Sequence, residues 1–265
     1  MWRGLYTAAA GMITQQDRTS AIANNLANVN TTGYKRDRAL EAEFEPMLIR
    51  RINDDARPKV TDFKEFSLSR RPPVVGNLGL GAYTREIATD HAQGSFMTTG
   101  NQLDLAISGE GFFVIDTPEG LRYTRNGNFY RAVNGDLVNS EGRAVLSAQG
   151  RPINIPENAV DITVTAEGGI YAGGALLGNL GLVTFGDDRR AVLKQGNSLF
   201  YPQEGAEPQP ATGTVQQGVL ERSNANVINE MVDLIDNYRI YEANSKAVTT
   251  QDSMLDHSVN EVGRM

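Results

Sequence analysis

The sequence has no cysteine and only two histidines, His91 and His257, among its 265 residues. The absence of cysteine excludes disulfides, thiolate nucleophiles, iron–sulfur clusters and cysteine-ligated zinc. Two histidines are too few for a histidine-rich metal centre, and a Ser-His-Asp triad would have to use one of them. Neither lies in a recognisable catalytic pattern. The sequence therefore predicts no catalytic, cofactor-binding or metal-ligating residue, and no enzyme.

Basic residues and long apolar runs are also scarce. The chain has 25 Lys and Arg against 32 Asp and Glu, a net charge of −7. An acidic chain is unsuited to broad electrostatic binding of nucleic acid or anionic lipid. The uncharged stretch 168–186 approaches the length of a spanning helix, but seven of its residues are glycine. The opening residues lack the apolar core of a signal peptide. We therefore expect no nucleic-acid partner, no membrane insertion and no cleaved signal.

Glycine and proline are nearly absent from the two ends of the chain. All ten prolines lie between Pro46 and Pro210, and only five of the 27 glycines lie in residues 1–37 or 217–265. Proline inside a helix removes a hydrogen bond and clashes with the preceding turn. The sequence therefore predicts helices at both ends and a turn-rich centre.

Apolar residues recur along both ends with the spacing of a helix seam. Steps of four and three from Val227 to Val262 select eleven positions, of which nine are apolar or aromatic. A sustained heptad of this kind is typical of a coiled coil. Asn224 or Asn226 is placed to cap this helix. A weaker N-terminal stripe ends before Gly33, and we expect the two helices to pack on each other.

The centre has the alternation and turn signals of β structure. Asn126-Gly127 and Asn134-Gly135 each lie between strand-like segments, and Asn-Gly favours type I′ hairpin turns. The pattern predicts a meander of 121–125, 128–133 and 136–139, followed by strands near 161–166, 180–185 and 198–201. Residues 38–85 mix charge runs with Pro-Pro and Gly-rich segments, which predicts an extended connector.

One polar segment near the first helix end is unusual. Residues 24–30 contain four asparagines, and the segment continues through Thr-Thr-Gly33-Tyr34-Lys35. Asparagine amides compete for backbone hydrogen bonds and weaken helices. The segment is therefore either a frayed helix end with amide-rich caps, or a helix end pinned against neighbouring chains by amide hydrogen bonds. The residue pattern alone leaves both interpretations open.

This segment resembles the N-terminal signature of the bacterial flagellar axial proteins, the rod and hook family. Further segments resemble the core strands, hairpins and C-terminal helix of that family, in the same order and nearly end to end. They are Thr99-Gly-Asn-Gln-Leu-Asp-Leu-Ala-Ile-Ser-Gly-Glu-Gly-Phe-Phe-Val114, Tyr123-Thr-Arg-Asn-Gly-Asn-Phe129, Gly135-Asp-Leu-Val-Asn139, Gly218-Val-Leu-Glu-Arg-Ser-Asn-Ala-Asn-Val227 and Tyr241-Glu-Ala-Asn-Ser-Lys-Ala-Val248. Within the family the chain resembles the basal-body rod proteins, proximal and distal alike, whereas hook proteins share the ends but usually carry a larger insert than this length allows.

The resemblance implies an α+β fold in which the terminal helices form an inner coiled-coil layer around a channel. The expected parts are residues 1–37 and 217–265 as that layer, 38–85 as the connector, and 86–216 as an outer, mostly antiparallel β domain. The implied function is that of a rod subunit, which transmits torque and lines the export channel. The expected subunit-interface residues are Leu5, Met12, Ala23, Asn24, Asn25, Leu26, Asn28, Met231, Leu234, Tyr238, Tyr241, Val248 and Leu255.

The resemblance also implies partners and a location. The expected partners are further copies of the chain, other rod subunits, hook subunits and the flagellar type III export apparatus, with ring or bushing proteins as further candidates. The expected location is the flagellar basal body, in the cell envelope and periplasmic space. No cofactor is implied.

Two other classes of function compete with this interpretation. A secreted β-rich module that binds glycan or protein would use aromatic residues of the centre, of which Tyr123, Phe129, Tyr130 and Tyr171 are the obvious candidates. An envelope hydrolase would need paired carboxylates, such as Asp104 and Glu110. Aromatic residues are equally required for packing a hairpin-rich β domain.

Overall fold

The computed structural model describes residues 2–50, 74–159, 161–186 and 191–260. Helix α1 (Trp2–Ala27) opens the chain and helix α2 (Val227–Asn260) closes it, as the distribution of glycine and proline predicts. The strands between them are β1 (Asp37–Glu43), β2 (Met47–Arg50), β3 (Val74–Leu78), β4 (Ala82–Thr89), β5 (Phe96–Thr98), β6 (Leu105–Ser108), β7 (Phe112–Thr117), β8 (Gly120–Thr124), β9 (Tyr130–Arg131), β10 (Leu137–Val138), β11 (Ile162–Val164), β12 (Gly169–Ala172), β13 (Ala175–Asn179), β14 (Leu182–Thr184), β15 (Val192–Gly196), β16 (Leu199–Pro202), β17 (Gln209–Pro210), β18 (Thr214–Gln217) and β19 (Val219–Glu221).

The glycine-rich stretch 168–186 forms strands β12, β13 and β14 rather than a helix. Glycine is a poor helix former, and here several glycines adopt the positive φ angles of tight turns. Among the described residues, neither helix has an apolar segment long enough to cross a bilayer.

The chain divides into two compact units. The first comprises residues 1–19, 39–86 and 236–265, and so contains most of both helices together with β2 and β3. The second comprises residues 20–38 and 87–235 and contains the remaining helical turns and the central strands. The described part of the predicted connector contributes to two strand pairs, β1 with β4 and, antiparallel, β2 with β3. Residues 51–73 of that connector lie outside the described residues.

The second unit is built on a six-stranded antiparallel sheet in the order β15-β16-β8-β7-β14-β17. Strand β7 is apolar at successive positions because both of its faces are covered. Phe113 packs with Leu105, Ile107 and other buried residues in one cluster, while Phe112 packs with Phe200 in another. Burial of each such side chain stabilises the unit by about 1.5–3 kcal/mol.

Two details of the predicted meander are wrong. Strand β8 pairs with β7 and β16 rather than with β9, and neither Asn126 nor Gly127 has a positive φ. The chain instead leaves β8 towards Leu105, whose N–H donates to the Gly127 carbonyl at 3.0 Å. A hydrogen bond to a distant strand therefore overrides the local turn preference.

The second Asn-Gly pair does lie in a hairpin, between β9 and β10, but not in a type I′ turn. Only Gly135 has a positive φ, of 87°, and the Asn134 side chain accepts a hydrogen bond from the Asp136 N–H at 3.2 Å. This side-chain bond stabilises a longer loop in which one left-handed residue suffices. Helix α1 also ends at Ala27, six residues before Gly33.

Gly127 is required by a close approach of two backbone segments. A Cβ atom at this position would lie 1.6 Å from the Leu105 carbonyl oxygen. Because that atom is backbone, we expect Gly127→Ala to lower the free energy of unfolding by at least about 2 kcal/mol, measured by urea denaturation. Gly178→Ala is the matched control, because the new Cβ would meet only Ile153 Cγ1, at 3.9 Å. Equal stabilities of the two variants would contradict the steric explanation.

Candidate functional site

The asparagine-rich signature forms the exit from α1. The Asn28 N–H bonds to the Asn24 carbonyl at 3.2 Å, and the Asn28 side chain donates to the same carbonyl at 2.9 Å. Gly33 then turns the chain with a φ of 67° and donates its N–H to the Glu221 carbonyl at 2.8 Å. A Cβ at Gly33 would lie 2.4 Å from the Asn126 backbone nitrogen. Both the φ angle and this contact therefore require glycine.

Asn25 is buried, and its amide makes four hydrogen bonds. Its Nδ2 donates to the Asp37 carbonyl at 2.8 Å and to Glu230 Oε2 at 3.1 Å. Its Oδ1 accepts from the Asp37 N–H at 2.8 Å and from the Tyr34 hydroxyl at 3.1 Å. One side chain thus ties the end of α1 to the start of β1 and to the first turn of α2. The signature is therefore a pinned helix end, and the partners of Asn25 belong to its own chain.

Lys35 and Glu221 form a fully buried ion pair. Their charged atoms are 2.6 Å apart, and their side chains are 1% and 0% exposed. Lys35 Nζ also donates to the Ala92 carbonyl, and Glu221 accepts from the Gly94 N–H at 2.8 Å and from Arg125 at 3.4 Å. Burial lowers the pKa of Lys35, and the adjacent Glu221 carboxylate opposes that effect. The carboxylate is therefore held by two cations and a backbone amide.

Lys194 connects strand β15 to the same exit segment. Its ammonium group donates to the Lys35 carbonyl and to Asp37 Oδ2, the latter at 2.8 Å. It also lies 4.0 Å from the centre of the Tyr34 ring, which is the geometry of a cation–π interaction. Burial raises the pKa of the Tyr34 hydroxyl, and the nearby carboxylates Asp37 and Glu230 raise it further. The hydroxyl therefore stays protonated and can donate to Asn25.

His91 lies beside this cluster in an electropositive environment. Burial lowers its pKa to about 4, and the neighbouring cations Lys35, Arg125 and Lys194 contribute in the same direction, while Asp90 opposes them. Neither ring nitrogen has a hydrogen-bond partner among the described residues. His91 is therefore a neutral packing residue at physiological pH, not a poised acid or base.

The two helices approach each other through small and polar residues. In the first unit, α2 places Gln251 against Gly4 and Asn244 against Gly11, where added Cβ atoms would lie 3.2 and 2.8 Å from the amide nitrogens. Asn237 follows, donating to the Gln15 carbonyl at 2.7 Å. The order of these contacts shows that the helices run antiparallel.

The same spacing continues into the second unit, where Glu230 accepts from Asn25. Glu230, Asn237, Asn244 and Gln251 are spaced by seven residues, and we call them the polar column of α2. The apolar heptad of α2 does not predict the column, because the column residues are polar. The strict repeat of amide and carboxylate residues, each four positions before an apolar one, was the available signal.

The predicted interface residues fall into three classes of solvent exposure in the single chain. Asn25 is buried within the chain, seven others are partly buried, and the remaining five are exposed. The partly buried residues are Leu5, Met12, Leu26, Asn28, Leu234, Val248 and Leu255, and the exposed ones are Ala23, Asn24, Met231, Tyr238 and Tyr241. Their role between subunits stays a prediction.

Several residues named for the two competing functions have packing or hydrogen-bonding roles in the structure. Phe129 and Tyr123 are buried in the core of the second unit, so two of the four candidate aromatic residues cannot stack on a glycan. Asp104 accepts a hydrogen bond from Asn101 at 3.1 Å. In the described part of the chain, no group of acidic and histidine residues is suited to hold a metal ion.

Three family models match successive parts of the chain. A model described as flagella basal body rod protein matches residues 5–35, which include the signature. The flagellar hook protein FlgE/F/G D1 domain matches residues 106–172. The flagellar basal body rod FlgEFG protein C-terminal model matches residues 216–261, which include α2.

Curated relatives match over nearly the whole chain. The flagellar basal-body rod protein FlgG of Agrobacterium fabrum is 39% identical over 267 residues, covering 95% of this chain and 96% of the relative. FlgG of Bacillus subtilis is 34% identical, covering 98% of this chain and 99% of the relative. The flagellar basal-body rod protein FlgF of Caulobacter vibrioides is 32% identical and covers both chains fully, at 100% each.

Removal of Lys35 is expected to be severely destabilising. Lys35→Met leaves the Glu221 carboxylate buried with one cation instead of two, so we expect a loss of about 3–5 kcal/mol in the free energy of unfolding. The double variant Lys35→Met, Glu221→Gln should recover part of this loss, because it removes the unpaired charge. Urea denaturation of the three proteins measures both effects.

Lys246→Met is the control for that loss. Lys246 pairs with Glu242 at 2.8 Å on the exposed surface of α2, with both side chains more than half exposed. We expect its removal to leave the unfolding free energy unchanged within error, since solvent screens the pair. An equal loss in both variants would show that the burial of the Lys35 pair is not the cause.

His91 should make stability depend on pH in a defined window. Its folded pKa of about 4 lies below the unfolded value of 6.5, so between these values only the unfolded chain binds the proton. Stability is therefore lost as pH falls from 6.5 towards 4, by about 3 kcal/mol in total. His91→Phe should remove that component, measured as the difference from the parent protein in urea denaturation between pH 7 and pH 4. An unchanged pH dependence in His91→Phe would contradict this assignment.

Proposed function

The chain belongs to the family of flagellar basal-body rod proteins, and from that premise we propose that its two helices form the inner, channel-lining layer of the rod. The protein is a structural subunit of the rod, not an enzyme, and it is a component of the flagellar basal body. The alternative of a glycan- or protein-binding module is not favoured by these relatives.

The observation that carries this proposal is the exposed apolar surface of α2. Ile228, Met231, Ile235 and Tyr238 are each about half exposed or more in the single chain. The helix stays ordered next to α1 through its polar column, which leaves its apolar residues available. Apolar helix surfaces of this kind mark sites of association. Self-assembly, which the family implies, would bury them.

We infer the arrangement of the subunit from the same surfaces. Residues 1–37 and 217–265 form the inner layer as a coiled coil, 38–85 the connector, and 86–216 the outer β domain. Repeated head-to-tail contacts of such a subunit generate an open helical tube. The tube transmits torque towards the hook and encloses the export channel. The β-rich part, with its own buried core, resists deformation on the outside.

We further infer the route and the neighbours of the subunit. The chain crosses the inner membrane through the flagellar type III export apparatus, and it assembles in the periplasmic space. Its neighbours are further copies, other rod subunits and hook subunits, with ring or bushing proteins as candidates at the outer surface.

Leu234→Asp tests the helical interface. Leu234 is partly buried beside the polar column of α2, so a carboxylate there is costly to bury in an assembled layer. In a strain whose own copy of this gene is deleted, we expect the variant to restore no swarming in soft agar. Isolated basal bodies should lack the chain, while circular dichroism of the purified variant should show the β-rich unit folded.

Ala243→Asp is the matched control. It lies nine residues further along α2, which turns it about 180° to the opposite side of the helix, and it is exposed. This variant should restore motility. Full motility with Leu234→Asp, or an undiminished rod in a strain lacking the gene, would contradict the proposed role.

A further inference from the structure

Helix α1 has a second surface, turned away from its contacts with α2. Tyr6 and Ile13 each lie two residues after the glycines that face α2, which is about 200° around the helix. Together with Phe44 and Leu80 they line an apolar groove of about 470 Å³ in the first unit. Tyr6 and Ile13 are 66% and 63% exposed, so the described residues leave this groove open. We call it the α1 groove.

Helix α2 carries a matching ridge. Ile228, Met231, Ile235 and Tyr238 follow the spacing i, i+3, i+7 and i+10, which places them on one side of the helix. Their exposures run from 48% to 72%. We call these four residues the α2 ridge. The ridge is turned about 100° from the polar column, because Met231 and Tyr238 each follow a column residue directly.

The geometry of the two surfaces fits a helix docking into a groove. Tyr6 and Ile13 are seven residues apart on α1, and Met231 and Tyr238 are seven residues apart on α2, so both anchor pairs repeat every two turns. Anchors of equal spacing can interdigitate along two packed helices.

Charge complementarity favours α2 as the occupant. The segment 227–260 carries six acidic and two basic residues, whereas 2–27 carries one acidic and two basic residues. Arg3 lies at the rim of the α1 groove. Opposite charge around an apolar contact steers association and fixes its register.

We propose that the α1 groove of one copy receives the α2 ridge of a second copy. The groove and the ridge are different surfaces, so without reciprocal pairing the contact is heterologous, and each added copy presents a new groove or a new ridge. This inference rests on the proposed function and specifies which surfaces join successive copies.

Cysteine cross-linking tests the contact directly, because the native chain has no cysteine and gives no background. The variant carrying Ile13→Cys and Ile235→Cys should assemble into basal bodies, and mild oxidation should then give disulfide-linked dimers and higher multiples of the chain mass. The control variant pairs Ile13→Cys with Asp233→Cys, an exposed position two residues away and about 200° around α2. We expect at least about tenfold less dimer from the control.

The outcomes separate this inference from the proposed function. If the chain is present in basal bodies but both variants cross-link equally, or neither does, the groove assignment is wrong and the rod role stands. A product whose mass is not a multiple of the chain mass would overturn the choice of a second copy. If the native chain is absent from basal bodies, the proposed function itself fails. Should the Ile13 and Ile235 variant not assemble, the pair Tyr6→Cys with Ile228→Cys, seven residues earlier on both helices, provides the same measurement.

Discussion

A carboxylate without solvent contact organises the exit from the first helix. Glu221 is held by Lys35, Arg125 and the Gly94 amide, and its own carbonyl receives the Gly33 N–H. Such a charge is tolerated in the interior only when every partner is in place. The position of Lys35 therefore fixes where the chain turns after α1, and Asn25 and Lys194 then attach β1 and β15 to the same point. Within the chain, the signature residues Asn25, Gly33 and Lys35 build this junction.

The polar contacts between α1 and α2 define the register of the two helices more than they bury apolar surface. In the described residues, the amide oxygens of Gln15, Asn237 and Gln251 are buried without hydrogen-bond partners. Each such group costs about 1–3 kcal/mol, and buried polar residues at helix seams are best known for fixing register. The polar column thus selects one antiparallel alignment. It also leaves Met231 and Tyr238 exposed, where an assembling subunit needs apolar surface.

Sequence reasoning succeeded where the signal was local. The two terminal helices, the Asn226 cap and the strands near 161–166 and 198–201 follow from breakers, caps and alternation, and the Asn226 side chain indeed accepts from the Ile228 N–H at 2.9 Å. It failed where a distant contact decides the outcome. Asn126-Gly127 is drawn towards Leu105, and the Lys35–Glu221 pair joins residues that no spacing rule connects. The polar column lies between these cases, since its repeat is visible in the sequence but carries no hydrophobic signal.

The antiparallel contacts also determine when α1 can pair with α2 relative to the formation of the central strands. Gly4 and Gly11 meet Gln251 and Asn244, so the first helix finds its partner only in a segment that is made after the whole β region. Contacts of such large sequence separation form late, because the intervening chain must first be available and closed into a loop. The central sheet needs shorter separations, since β7 and β8 are neighbours in sequence and the partner of Thr124 in β8 is Leu199 in β16. The pairing of β7 with β8 can therefore form while α1 still lacks its partner, and the contact between the helices follows once residues 244–251 are present.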